Sequence, residues 1–128
     1  MSIWFDGHWD QTNPEGHADR ASRIDWKYDE IYGLIHRLQP QCMIGNNHHL
    51  SPLPGEDFQM FERDLPGENR SGLSFQKASA EVPLETCETI NGAWGYNITD
   101  RRYKTVKQVV QMLAGAAGRN ANLLLNVG

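Results

Sequence analysis

Ile3-Trp4-Phe5-Asp6-Gly7 is a short apolar run that closes on a carboxylate and a glycine. A buried strand reads this way when it delivers one charged side chain into a cleft at its carboxyl end. An aspartate after an apolar run is also a common turn former or helix N-cap. Only the residues downstream can decide between these readings.

After His8-Trp9-Asp10 comes a loop rich in Asn, Pro, Gly and Asp, and then Ser22-Arg23-Ile24-Asp25, which has capping-box spacing. Ile31, Leu34, Ile35 and Leu38 recur at helical intervals and Pro40 closes the run, so the spacing predicts a helix over about residues 25–38. Gln41-Cys42-Met43-Ile44-Gly45 is a second strand, which completes a strand–helix–strand unit suited to a parallel sheet. Asn46-Asn47-His48-His49 then falls on the same rim as Asp6, because in parallel α/β folds the segments past the strand ends share one side.

Residues 50–83 show little periodicity and carry Pro52, Pro54, Gly55, Pro66, Gly67 and Pro83. A stretch this long inside a compact domain is functional or disordered, and Phe58, Phe61 and Phe75 argue for order. Within it, Asp57-Phe58 and Phe61-Glu62 suggest a short helical turn that aims Glu62, or Glu56, over the mouth of the sheet. Thr86–Ile90 reads as a third strand with Cys87 buried, and Asn122–Val127 as a fourth. Between them a helix starting at Thr99 or Asp100 presents Val106, Val109, Val110, Leu113 and Ala117, with Gly118 as a left-handed cap. The expected fold is α/β: half of a (β/α)8 barrel, with parallel strands, two main helices and one long loop. Residues 1–128 would be a single piece, cut at both ends, whose open edge strands offer pairing sites for a second copy.

Composition narrows the function. A 39% hydrophobic content with four tryptophans suits an ordered globular chain. The net charge of -4, with Arg101-Arg102 the one adjacent basic pair, is not the footprint of a nucleic-acid binder. Cys42 and Cys87 lack CxxC or zinc spacing and read as small core residues. The start of the chain has no signal-peptide pattern, and no run approaches the length of a membrane span.

Paired carboxylates carry the clearest chemistry. A retaining glycosidase needs an ionised carboxylate as nucleophile and a protonated carboxyl as acid and then base, about 5 to 5.5 Å apart. Asp6 on a strand end and a glutamate from the long loop supply such a pair. Trp4 and Trp94 offer faces for the apolar side of a sugar ring, and His48 and His49 offer polar contacts. Taken alone, each tryptophan reads as ordinary core packing. A metal reading of Asp6, His8, Asn46, His48 and His49 is disfavoured, because adjacent residues on an extended segment point to opposite sides and no HExxH-type spacing occurs. No phosphate-cradling glycine motif is present.

Four blocks together resemble the glycoside hydrolase family 29 α-L-fucosidases in order and spacing. They are Trp4-Phe5-Asp6-Gly7, the segment Gly55-Glu56-Asp57-Phe58-Gln59-Met60-Phe61-Glu62, the run Glu85-Thr86-Cys87 with Trp94-Gly95-Tyr96, and Gly118 to Gly128 with its Asn-Leu-Leu-Leu-Asn-Val-Gly ending. The resemblance implies the C-terminal half of a (β/α)8-like catalytic barrel, without the β-sandwich domain that usually comes after it. It implies retaining hydrolysis of terminal α-L-fucose from glycans, no cofactor, and a secreted or periplasmic parent. By position, Asp6 matches the nucleophile and Glu62 the acid/base, with Glu56 the second choice. Trp94 matches the aromatic that packs on fucose, Trp4 its partner, and His48 a polar contact. A fragment that binds fucosylated glycan without turnover, or is only structural, is the competing expectation.

Overall fold

The computed structural model of the chain describes residues 1–8 and 25–128. Ser22 to Ile24 of the expected capping box, and the loop before them, lie outside the described residues. Five strands, β1 (Ser2–Phe5), β2 (Met43–Asn46), β3 (Phe58–Glu62), β4 (Leu84–Thr89) and β5 (Ala121–Asn126), form one sheet in sequential order. Every neighbouring pair is parallel. Helix α1 (Tyr28–Leu38) makes the β1–β2 crossover and α2 (Val106–Ala117) the β4–β5 crossover. This curled half-barrel with two helices is the expected architecture, with one strand more than the sequence suggested.

The extra strand is the correction that matters most. Phe58–Glu62 forms β3, not a helical turn, and pairs with both β2 and β4. Its sequence reads poorly because both faces are covered, as in any interior strand of a parallel sheet, so apolar residues do not alternate with polar ones. The polar exception, Gln59, is buried and busy: its Nε2 donates to Lys77 O at 2.9 Å and its Oε1 accepts Ser79 N–H at 2.7 Å. Two crossovers are therefore loops, residues 47–57 and 63–83. The second is organised by buried Asp64, whose Oδ1 accepts the Arg70 and Ser71 N–H groups at 2.8 and 3.1 Å. Phe75, expected to help order this loop, is exposed.

Register sorts the side chains into two faces. Trp4, Gly45 and Phe58 stand abreast, and a Cβ on Gly45 would collide with the Phe58 ring. Two steps on, Met60 pairs with Glu85, and then Glu62 with Cys87, on the same concave face. The convex face carries Phe5 and Asn46 against Tyr32 of α1, with Phe5 and Tyr32 ring centroids 5.4 Å apart. Ile44, Phe61 and Tyr32 are among the most buried side chains.

Both helices pack by a different stripe from the one expected. In α1 Tyr32 is the buried residue, while Ile31, Leu34 and Leu38 are exposed. In α2 Ala116 is buried, while Val106, Val110 and Leu113 are exposed. The periodicity is correct, but these apolar flanks are where neighbouring helices of a closed barrel would lie. Helix α2 also starts later than expected, with Thr105 and Gln108 making the capping box. Asp100 accepts the Gly92 N–H at 2.8 Å instead, and that bond with the Arg102 N–H holds its carboxyl below the usual range. At the far end Gly118 is right-handed, and Asn120, with φ 55°, takes the left-handed turn.

Candidate active site

Asp6 follows the last residue of β1, and Gly7 turns the chain away with φ 84°. The β1–β2 ladder runs one step further, with Asn47 N–H donating to Phe5 O at 2.9 Å, which places Asn47 abreast of Asp6. Asn47 Nδ2 donates to Asp6 Oδ1 at 3.3 Å and to Glu62 Oε2 at 2.8 Å. Those two oxygens therefore lie no more than 6.1 Å apart, the sum of the two distances. His49, in the left-handed region with φ 60°, brings Nε2 to 3.7 Å from Glu62 Oε2.

Beneath this pair lies Cys87, abreast of Glu62. Burial, followed by the negative charges of Glu62, Glu85 and Asp6, pushes its thiol far above the usual range. It is a neutral filler of the floor, not a thiolate.

Glu56 and His48 belong to a different cluster. The Glu56 carboxylate accepts Tyr32 OH at 2.9 Å, Leu53 N–H at 3.0 Å and His48 Nε2–H at 2.9 Å. His48 Nδ1 accepts Leu50 N–H at 3.0 Å, so the ring proton sits on Nε2 and both nitrogens are engaged. Asn46 Nδ2 completes the network on Tyr32 OH at 2.8 Å. Burial, to which the Glu56 charge adds, raises the Tyr32 phenol well above its ordinary range, so it remains a donor. Glu56 and His48 thus brace the β2–β3 loop against α1, and neither has a free polar atom to offer a sugar.

The two tryptophans differ. Trp94 is partly exposed, and the Arg63 guanidinium sits 5.2 Å from its ring centroid. Arg63 comes directly after Glu62, so this stack ties Trp94 to the carboxyl end of β3. Trp4 instead sends its indole N–H to Glu85 Oε1 at 3.0 Å, and Asn122 Nδ2 donates to Glu85 Oε2 at 2.7 Å.

Sequence reasoning alone gives no role to Asn47, Arg63 or Glu85. The rim position of Asn46-Asn47-His48-His49, and counting in twos from Gly45, which puts Asn47 on the concave face, are the signals for it. Nothing local marks Arg63 or Glu85. Among the described residues, no group of three His, Cys, Asp or Glu is arranged to hold a metal. No helix among them is long and apolar enough to cross a membrane.

A carboxylate pair joined by one amide thus stands at the ends of parallel strands. A family model described as Alpha-L-fucosidase matches residues 1–128. The chain belongs to the alpha-L-fucosidase family.

Solved members of the alpha-L-fucosidase family share its architecture. Alpha-L-fucosidase isoenzyme 1 from Paenibacillus thiaminolyticus is 35% identical over 99% of the chain, with a TM-score of 0.67. Alpha-L-fucosidase AlfC from Lactobacillus casei, in complex with its α-L-fucose product, is 27% identical over 78% of the chain, with a TM-score of 0.61. A mutant of AlfC in complex with a 4-nitrophenyl α-L-fucopyranoside substrate is 25% identical over 84%, with a TM-score of 0.64. The chain spans 28%, 28% and 30% of these three structures. The comparison with curated proteins returned no match.

Proposed function

We propose that this chain carries the nucleophile and the acid/base of a retaining exo-α-L-fucosidase, acting on terminal α-L-fucose of glycans. Asp6 attacks the anomeric carbon while Glu62 gives its proton to the departing glycosidic oxygen, which keeps the electron pair of the broken bond. The result is a fucosyl ester on Asp6. Glu62, now a carboxylate, takes a proton from water as the water oxygen attacks the same carbon, and Asp6 leaves as a carboxylate. Fucose is released with its configuration retained.

One observation carries this reading: a single amide, that of Asn47, reaches both carboxylates. The resulting limit of 6.1 Å between the bridged oxygens is compatible with the separation of about 5 to 5.5 Å in retaining enzymes. It is shorter than the 6.5 to 9.5 Å or so that inverting enzymes need to seat a water. The engagement of Glu56 with Tyr32, His48 and Leu53 supports Glu62 over Glu56 as the acid/base. Trp94, backed by Arg63, is the platform for the sugar ring.

The test is covalent trapping with a 2-fluorinated fucosyl fluoride, followed by peptide mass spectrometry, on this chain and on a form extended to the length of its solved relatives. Label on the peptide containing Asp6 is the expected result. Label on the extended form alone would mean that the remainder of the barrel completes the pocket. No label on either would remove Asp6 as nucleophile and favour binding without turnover.

A further inference from the structure

Asn47 has a geometry that the carboxylate pair alone does not explain. It is buried, with 2% of its surface exposed. Its NH2 group makes two hydrogen bonds, to Glu62 and to Asp6, while its Oδ1 has no hydrogen-bond partner among the described residues. Turning the amide over would set Oδ1 against the Asp6 carboxylate, so chemistry fixes the orientation. The side chain is held by its donors.

Resting on the roles given above to Asp6 and Glu62, we propose that Asn47 is a positioning residue that decides which oxygen of Glu62 carries the catalytic proton. The carbonyl oxygen of a neutral carboxyl is a stronger acceptor than its hydroxyl, so the amide hydrogen held by Oε2 at 2.8 Å favours the proton on the other oxygen. Oε2 faces Asn47 and, at 3.7 Å, His49. The proton therefore sits on Oε1, the oxygen left to meet the leaving group. The second amide hydrogen points at Asp6, so one side chain sets the orientation of the acid relative to the nucleophile. Removing both donors leaves the Glu62 carboxyl free to rotate, and to carry its proton on the wrong side.

This predicts a particular kinetic signature. A merely structural loss lowers turnover equally for all leaving groups. Loss of a correctly placed proton grows with the basicity of the leaving group, because good leaving groups depart without help. Asn47→Ala removes the amide, and Asn47→Leu removes it while nearly keeping the volume, so one of the two should preserve the packing. Thermal unfolding of each variant checks that it does.

The measurement is kcat/KM on dinitrophenyl, nitrophenyl and methoxyphenyl fucosides, for this chain and its extended form. Asp6→Asn and Glu62→Gln serve as controls. The expected result is a loss at least about 10-fold larger on the methoxyphenyl than on the dinitrophenyl substrate for a folded Asn47 variant. Equal losses across the series, with Glu62→Gln still showing the graded loss, would overturn the role of Asn47 alone. No graded loss in Glu62→Gln, or no turnover by either form, would remove the acid/base assignment and this proposal with it.

Discussion

Trp4 donates its indole hydrogen to Glu85 at 3.0 Å and so joins the first strand to the fourth across the concave face of the sheet. Asn122 on the fifth strand holds the other oxygen of Glu85 at 2.7 Å. Trp4 lies two residues before Asp6, so this strut steadies the strand that presents the proposed nucleophile. Glu85→Ala should lower stability by about 1 kcal/mol, since the bond faces solvent, and Glu85→Gln should recover much of the loss. Urea midpoints at unchanged slope measure it. Identical midpoints for all three proteins would leave the strut without a stabilising role.

The Tyr32–Glu56–His48 network should matter for stability and not for chemistry. Tyr32→Phe leaves a buried carboxylate and the buried Asn46 amide each short of a partner, at an expected cost of about 2 to 3 kcal/mol. Glu56→Gln should likewise destabilise the chain yet keep Asp6 reactive toward the fucosyl fluoride. A folded Glu56→Gln protein that still labels but loses turnover only on a poor-leaving-group fucoside would reopen Glu56 as the acid/base.

Asp6 and Glu62 should separate by substrate. With a nitrophenolate leaving group, Asp6→Asn loses far more rate than Glu62→Gln, because the departing group needs no proton. With a poor leaving group Glu62→Gln should also fall, by about 10²- to 10⁴-fold. Equal losses on the nitrophenyl substrate would argue against this division of labour.

Stability should fall on the alkaline side in a defined order. Burial raises the folded-state pKa of Cys87 above the ordinary 9.0 and that of Tyr32 above 10.0. For a group raised on folding, the contribution is fully present below the unfolded value and is lost as pH rises, because the unfolded chain gives up its proton first. The decline should begin above about pH 9.0 through Cys87 and steepen above about 10.0 through Tyr32. Cys87→Ser should remove the first part of it. Unfolding midpoints across pH 7 to 11 would show this, and an unchanged onset in Cys87→Ser would refute the assignment.

The sequence disclosed those parts of the fold that depend on local pattern. The strand ahead of Asp6, the crossover helix and the burial of Cys87 could all be read from runs and periods. Phe58–Glu62 could not, because an interior strand covered on both faces shows no alternation, and its polar Gln59 is spent on two loops. The apolar stripes of both helices were visible, but periodicity cannot say which flank meets the sheet and which awaits a neighbour. At the candidate site, motif singled out Asp6 and Glu62, which the structure brings to one Asn47 amide. The engagement of His48 with Glu56, and the reach of Asn47 to two carboxylates, depend on three-dimensional register that spacing along the chain does not reveal.

The bridge at Asn47 also bears on how such a site can diversify. Asp6 stands at the end of β1, Asn47 just past β2 and Glu62 on β3, three adjacent strands locked by backbone ladders. Fifty-six positions of sequence separate the two carboxylates, yet strand register and the Asn47 amide hold both within reach of one side chain. Exposed loop positions that make none of these bonds, such as Ser51, Ala78 and Ala80, can therefore change composition while the gap is kept by the sheet and Asn47. Under the proposed function, variation in what lies beyond the fucose would accumulate at such positions without moving the two carboxylates.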